Sequence, residues 1–387
     1  MRGTAPLVVL VLGSAAERAG CPRELSPLAR AAKPHLDRLA LTGRVLSVRL
    51  STAPKALVTA APLLSILGID SQGCHHARAS CLAARAAPAP GPDGCYAAAE
   101  FISLFRELLA DPEPAGLSVP ETEVLLAALE EPLRRAGARL TMGEGGRLLV
   151  SGPSALFDPA TPPPDQLLGA DLRGFEPRVP AHALLHRLSR EVLDGHDVNA
   201  VRRDLGRNGA DMLWISGPGA PAVLPAVPAA VRGAVSAAGD DGVFRGACLA
   251  AGIAWQETPP GDAAALVAVA RRSLASDRVL FLHWRRGLLD AYQRDLATRA
   301  EGIGELDRTL VGPLAEAVAA AKGRLLVLPD LPRETASGRA VADCVPALIW
   351  GAGVQAMTAR KFDEAGAATA GEPLEPGHGL LAYVLNL

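Results

Sequence analysis

The chain has 387 residues, of which 49% are hydrophobic and 21% charged, and its formal net charge is −2. This length predicts about two globular domains with a sizeable core, and the near-neutral charge provides no basic surface for nucleic acid. The six cysteines lack a repeated CxxC spacing, which argues against a disulfide framework and fits a cytoplasmic protein. No stretch approaches the ~20 apolar residues of a membrane span.

The first apolar run, Leu7 to Leu12, allows two interpretations. It is short and rich in valine, as a buried β-strand is, and Gly13 would open the loop after it. The early arginine, the run and the small residues that follow also resemble a weak signal peptide. We favour the strand, because the run is short for the apolar region of a signal.

Short apolar runs then alternate with helical patterns along most of the chain. Pro34–Thr42 has helical spacing, and Arg44–Leu50 alternates as a strand does. A further helix is predicted over Glu305–Ala321. Later strand candidates are Met212–Ile215, Arg278–Leu282 and Arg324–Leu328. This alternation of strand and helix favours an α/β fold with a doubly wound, mostly parallel sheet.

The middle of the chain has a different pattern. Ser118 and Glu121 have the spacing of a capping box at the start of an amphipathic helix. Two short strand candidates, Ala138–Leu140 and Arg147–Val150, flank a glycine-rich turn that is typical of a hairpin.

A Pro/Gly-rich break at Ala87–Gly94 separates this region from the preceding chain. We therefore predict a smaller α+β domain over residues 86–190, inserted into a larger domain that is formed by residues 1–85 and 191–387. The tripeptide Gly217–Gly219 shares only its glycines with a phosphate loop. Because its proline removes a donor amide, we predict a tight turn there.

Four segments, in this order, resemble the archaeal-type cofactor-independent phosphoglycerate mutases of the alkaline-phosphatase superfamily. They are Ser26–Gly43 (SPLARAAKPHLDRLALTG), Leu64–Asp70 (LSILGID), Gly195–Gly219 (GHDVNAVRRDLGRNGADMLWISGPG) and Glu301–Gly351. The last contains LLVLPD and DCVPALIWG, and the latter is similar to the family's DPVPFLLYG. The resemblance implies an alkaline-phosphatase-like core with an inserted substrate-binding domain.

The resemblance also implies a chemistry, in which a phosphoryl group moves between the two hydroxyls of a phosphoglycerate. A serine nucleophile is phosphorylated between two divalent ions, usually manganese, and such a site needs several carboxylates and imidazoles. The nucleophile position falls on Thr59, which offers a hydroxyl; an ordinary threonine at a helix start is the interpretation we favour. Asp330 is the one charged metal ligand that this chain retains.

The other ligand positions of the family hold residues without a suitable side chain. These are Leu12, Ala60, Leu288, Tyr292, Leu331 and Ala340. One carboxylate cannot hold two divalent cations against water. Glu17, Asp290 and Asp295 lie close enough for a small shift of the alignment to use them, but no histidine lies near Tyr292 or Ala340.

Four residues match substrate-side positions of the family: Arg78, His196, Asn199 and Arg202. An arginine fork can bond two oxygens of a phosphate or a carboxylate, so these residues indicate an anion pocket. His196 and Asn199 can equally well fix a turn that links two domains. The sequence leaves both interpretations open.

These observations lead to three hypotheses. In the first, a phosphoglycerate mutase-like protein with a degenerate site binds a small phosphorylated or carboxylate ligand or a protein partner, without catalysis and without a cofactor. In the second, the chain is an active 2,3-bisphosphoglycerate-independent phosphoglycerate mutase, or a related phosphatase, that uses manganese or another divalent metal in glycolysis. The third is a zinc site at Cys74, His75, His76 and Cys81, whose spacing matches no zinc pattern.

Overall fold

The computed structural model describes residues 5–51, 60–70, 94–114, 117–142, 148–219, 225–231, 234–357 and 361–387. The chain divides into two compact units, Met1–His75 with Leu224–Leu387 and, separately, His76–Val223. The second unit continues past the predicted bounds of 86–190, because the strand at Met212–Gly219 pairs with the strand at Gly94–Phe105. In these ranges no helix is long and apolar enough to cross a membrane.

The strands are numbered in chain order across both units. They are β1 (Leu7–Leu12), β2 (Arg44–Val48), β3 (Gly94–Phe105), β4 (Leu108–Asp111), β5 (Arg139–Met142), β6 (Leu148–Pro153), β7 (Met212–Gly219), β8 (Val235–Gly239), β9 (Ala254–Gln256), β10 (Val279–Trp284), β11 (Arg324–Pro329) and β12 (Val345–Gly351).

The helices are numbered in the same way. They are α1 (Pro27–Arg30), α2 (Pro34–Thr42), α3 (Ala61–Ile66), α4 (Val119–Arg135), α5 (Pro180–Leu193), α6 (Asp197–Asp204), α7 (Gly242–Ala250), α8 (Ala263–Ser273), α9 (Arg286–Tyr292), α10 (Leu296–Leu306), α11 (Gly312–Ala320), α12 (Glu364–Ala368) and α13 (Leu380–Leu385). Short 3-10 turns lie at Arg23–Leu25, Ser154–Leu156, Pro164–Gln166, Leu172–Phe175, Ala229–Val231 and Gly377–Gly379.

The first unit is built on a seven-stranded sheet of order β2-β12-β11-β1-β10-β8-β9. Strand β12 runs opposite to the other six strands of this sheet, which confirms the predicted mostly parallel sheet. All six residues of β1 are buried, as expected for a parallel strand at the centre of a sheet covered on both faces. The strand interpretation of Leu7–Leu12 is therefore confirmed. Val8, Leu10 and Leu12 point to one face and pack against α2, α8, α10 and α11.

The predicted helix over Glu305–Ala321 is confirmed as helical, but the helical run begins earlier, at Leu296, and is not uniform. Helix α10 ends at Leu306, a π-helical turn covers Asp307–Val311, and α11 begins at Gly312. Pro313 lacks the N–H that would continue the ladder. The carboxylate of Asp307 is also committed elsewhere, since it accepts the backbone N–H groups of His35 (2.9 Å) and Leu36 (2.8 Å) at the start of α2.

The second unit is a five-stranded sheet of order β4-β3-β6-β5, with β7 paired to β3. The predicted capping box is confirmed: Glu121 N–H donates to the Ser118 hydroxyl, and Ser118 N–H donates to the Glu121 carboxylate. The predicted turn at Gly217–Gly219 is wrong, because β7 continues to Gly219 opposite Tyr96. A register shift in β3 and the left-handed φ of +55° at Gly217 accommodate the glycines.

Side chains of helix α5 form hydrogen bonds with the backbone groups on the open edge of β7, where no further strand of the described ranges pairs. From α5, Ser189 Oγ accepts the N–H of Leu213 (3.1 Å), and His186 Nε2 accepts the N–H of Ile215 (3.0 Å). His182 Nε2 lies 3.1 Å from the Ile215 carbonyl and donates to it, since His182 Nδ1 already accepts a backbone N–H. Buried strand-edge groups are thus paired without a further strand.

These hydrogen bonds require neutral imidazoles. Burial lowers the pKa of His182 to about 4 and that of His186 to about 3. In the unfolded chain both groups take up protons below a pH of about 6.5. Their contribution to stability is therefore complete above pH ~6.5 and is lost as the pH falls towards 4.

We expect the Ile215 amide to lose protection from hydrogen exchange as the pH falls from 6.5 to 4, because His186 takes up a proton when this region opens, and this favours the open state. In His186→Gln the side-chain oxygen accepts without titrating, so the loss of protection should be smaller by roughly tenfold or more. Exchange rates corrected for their intrinsic pH dependence measure this. His378→Gln is the control and should follow the wild type, and an unchanged pH dependence in His186→Gln would contradict the assignment.

Candidate functional site

Two loops meet at the carboxyl edge of the large sheet, because β1 and β11 are parallel neighbours. The Asp330 carboxylate, directly after β11, joins them. Its Oδ1 accepts the backbone N–H of Ser14, after β1, at 2.7 Å and that of Leu331 at 2.7 Å. One oxygen of the predicted metal ligand is thus committed to two backbone donors.

The other Asp330 oxygen faces His283, near the end of β10. His283 Nε2 lies 3.7 Å from Asp330 Oδ2, an ion-pair distance that is too long for a hydrogen bond. The imidazole is 1% exposed, and neither ring nitrogen has a hydrogen bond among the described residues. Burial disfavours the charged ring, but the carboxylates of Asp330, Asp241 and Asp240 outweigh it and raise the pKa of His283.

Sequence reasoning missed His283 as a neighbour of Asp330. Its only signal was a histidine at the end of an otherwise apolar run, Arg278–Leu282. Because parallel strands end at the same edge, this position faces the end of β11 across β1.

A buried guanidinium lies on the other side of Ser14. Asp295 begins α10 by accepting the N–H of Thr298, and Arg299 follows in the first turns of this helix. Arg299 Nη2 donates to the carbonyls of Ser14 and Ala16, both at 3.0 Å, and Nη1 donates to the Arg333 carbonyl at 2.9 Å. One side chain therefore connects the loops after β1 and β11.

Two buried carboxylates accompany Arg299. Glu17 Oε2 lies 3.4 Å from Arg299 Nη1 and accepts the backbone N–H of Thr335 at 2.8 Å. Glu364 Oε1 accepts the N–H of Glu17 at 2.8 Å. Burial lowers the pKa of Arg299 to about 10 and raises the pKa of Glu364. We call Arg299, Arg333, Glu17 and Glu364 the arginine cluster.

Arg333 lies beside two positions that the resemblance assigns to histidine ligands. Its guanidinium is 5.2 Å from the ring centre of Tyr292, within the range of a cation–π contact. Its backbone forms an isolated bridge with Ala340. Arg333 Nη1 donates to the Gly338 carbonyl at 2.7 Å, and Nε lies 3.4 Å from Ser14 Oγ. Both arginines are 2% exposed.

The three carboxylates that a shifted alignment could use have other partners. Asp290 pairs with Arg286 at 2.7 Å, Asp295 caps α10 through Thr298, and Glu17 belongs to the arginine cluster. In the parts of the chain that the structure describes, no group of three or more His, Cys, Asp or Glu side chains could hold a metal ion.

The substrate-side residues of the second unit make internal contacts. Asn199 is fully buried: its Nδ2 donates to the carbonyls of Leu193 (3.0 Å) and Ala210 (2.8 Å), and its Oδ1 accepts the Ala210 N–H (2.7 Å). Arg202 donates to the Asn208 carbonyl at 2.8 Å and pairs with Glu121 at 3.2 Å.

His196 caps α6 by accepting the N–H of Val198 through Nδ1 at 3.2 Å. Among the residues described, its Nε2 has no hydrogen bond, and the ring is half-buried. Several predicted residues lie outside the described ranges. They are Thr59, Arg78, Cys74, His75, His76 and Cys81.

Several proteins of known name are similar to this chain. The 2,3-bisphosphoglycerate-independent phosphoglycerate mutase of Methanothrix thermoacetophila is 26% identical over 375 residues, which cover 93% of this chain and 94% of that protein. The corresponding mutase 2 of Methanothermobacter thermautotrophicus is 27% identical over 354 residues, covering 88% and 87%. No protein-family model matches the chain.

Two solved structures share the fold. The PH0037 protein from Pyrococcus horikoshii covers 99% of this chain and 97% of its own, with a TM-score of 0.68 and 20% identity. The cofactor-independent phosphoglycerate mutase from Thermoplasma acidophilum covers 99% of both chains, with a TM-score of 0.55 and 18% identity. These likenesses confirm the predicted alkaline-phosphatase-like α/β core.

The contacts of Asp330 predict that Asp330→Ala and Asp330→Asn lower the stability of the protein by different amounts. Asp330→Ala removes the acceptor of two backbone N–H groups and should lower the free energy of unfolding by about 2 kcal/mol. Asp330→Asn keeps an acceptor oxygen and should cost less than half as much. Urea unfolding at pH 7.5 compares them, and equal losses would show that Oδ1 is not what holds the loops.

A second substitution decides between an anion pocket and a fixed turn at Asn199. Asn199→Ala should lower the free energy of unfolding by roughly 2–3 kcal/mol, because three buried backbone groups lose their partners. Calorimetry measures the loss, with the exposed Asp204→Ala on the same helix as a control expected to change stability by less than about 0.5 kcal/mol. A wild-type stability for Asn199→Ala would favour the pocket.

Proposed function

Because the chain is a divergent member of the 2,3-bisphosphoglycerate-independent phosphoglycerate mutase family, we propose that it acts as a non-catalytic binding or regulatory protein. Its ligand is a small phosphorylated or carboxylate compound, and its compartment is the cytoplasm. The observation that carries the proposal is the state of Asp330, the one retained ligand, with one oxygen committed to two backbone donors and the other facing His283.

The residues at this edge of the sheet do not fit a pair of manganese ions. A two-metal site requires several anionic or imidazole ligands around both ions. Here the ligand positions carry Leu12, Leu288 and Ala340, and the guanidinium of Arg333 lies on the ring of Tyr292. A buried guanidinium repels a divalent cation, which adds to the loss of ligands. No step of phosphoryl transfer follows from this arrangement.

Ligand binding rests on fewer residues than the sequence predicted. Asn199 and Arg202 use their polar groups inside the second unit. His196 keeps Nε2 for another partner, and Arg78 remains a candidate outside the described ranges. A histidine and an arginine can together bind one phosphate or carboxylate through charge-assisted hydrogen bonds.

The test combines metal analysis with a turnover assay on one purified sample. We expect less than about 0.1 mole of manganese per mole of protein after dialysis against micromolar manganese, since one carboxylate cannot compete with water for the ion. Conversion of 3-phosphoglycerate to 2-phosphoglycerate should stay at background. The Methanothrix thermoacetophila relative, assayed under the same conditions, is the positive control.

Manganese-dependent turnover that Thr59→Ala abolishes would overturn the proposal and establish the alternative, an active mutase or phosphatase. Zinc in the same metal analysis would instead support the site at Cys74, His75, His76 and Cys81.

A further inference from the structure

We propose that Arg299 and Arg333 supply, from within the chain, the positive charge that the resemblance assigns to divalent metal ions at this edge of the sheet. The inference deepens the proposed function and rests on it, since it explains how the loops of the site are held without a metal pair. It assigns both arginines a positioning role.

The surroundings of Arg299 are those of a cation site. Three backbone carbonyls, a hydroxyl and a carboxylate converge on its guanidinium. They belong to Ser14, Ala16, Arg333, Thr335 and Glu17. Carbonyl and carboxylate oxygens are the ligands that hard cations prefer, and here each accepts a hydrogen bond from the arginine.

Arg333 is the second buried arginine at this edge of the sheet. It lies on the face of Tyr292, donates to the Gly338 carbonyl, and bridges through its backbone to Ala340. Tyr292 and Ala340 are both positions at which the family has histidine. A positive charge therefore remains at this place, and the guanidinium of Arg333 supplies it in place of a metal ion.

The two arginines act together rather than separately. Arg299 Nη1 donates to the backbone carbonyl of Arg333. Both side chains also contact Ser14: Arg299 donates to the Ser14 carbonyl, and Arg333 Nε lies 3.4 Å from the Ser14 hydroxyl. The loop after β1 is thus held between two guanidinium groups. The buried carboxylate of Glu17 offsets part of their charge, as burial requires.

The inference is tested by restoring the cation from solution. Arg299→Ala leaves a cavity of the shape of guanidinium, lined by oxygen acceptors. We expect its melting temperature to fall by about 10 °C, and guanidinium chloride at low millimolar concentration to restore at least half of that fall. Such concentrations lie far below those that unfold proteins. Sodium chloride at equal ionic strength should restore none of it.

Two variants complete the experiment. Arg272→Ala removes an exposed arginine of α8 and should neither lower the melting temperature appreciably nor respond to guanidinium. Should Arg299→Ala fail to fold, Arg333→Ala provides the same measurement, with guanidinium returning to the face of Tyr292. Restoration by guanidinium but not by sodium supports the inference.

An equal response of the Arg272→Ala variant, or no restoration in either buried variant, overturns it. The outcome is separate from that of the turnover assay. Mutase activity would refute the proposed function even if guanidinium restored the variant, whereas a failed restoration refutes only the role of the arginines.

Discussion

The guanidinium of Arg299 is the interaction on which the geometry of the site depends. Arg299 is 2% exposed and lies between the loops that follow the parallel strands β1 and β11. Its N–H groups donate to backbone carbonyls of both loops. Unpaired, those carbonyls and the charge itself would be costly to bury. Glu17 and the backbone donors around it complete the pairing. Arg299 therefore links the loops after β1 and β11, and in the described part of these loops no buried side-chain nitrogen or oxygen lacks a hydrogen bond.

The large sheet of the first unit does not depend on metal ligands. The sheet is held by apolar packing, with Val8 and Leu10 of β1 fully buried against the helices of one face. Leu12, to whose position the resemblance assigns a metal-binding aspartate, belongs to the same core cluster. Burying a leucine is worth about 2 kcal/mol, whereas a buried aspartate without its metal would be an unpaired charge. A leucine at this position thus extends the core.

The sequence predicted those features that depend on local pattern. The apolar run of β1, the capping box at Ser118 and the position of Asp330 at the end of a strand could all be found from it. The turn at Gly217–Gly219 could not, because pairing with β3 carries the glycines into the sheet. The arginine cluster could not either. Arg299 and Ser14 are 285 residues apart in the chain, and no local pattern separates a buried arginine from an exposed one.

A residue that matches a family motif need not keep the role it has in that family. Asn199 and Arg202 match substrate-side positions, yet their hydrogen bonds hold the turn around α6 and the strand that follows it. Asp330 matches a metal ligand, yet one of its oxygens holds backbone donors. Each of these side chains has several hydrogen-bonding atoms in a fixed geometry. This property suits it to binding a ligand and equally to forming hydrogen bonds within the protein. When the ligands around such a residue are replaced, its polar groups must find partners within the protein or be left unsatisfied in the interior. Retention of these residues is therefore expected on structural grounds alone, and the function of a divergent family member has to be argued from the hydrogen-bonding atoms that remain without a partner.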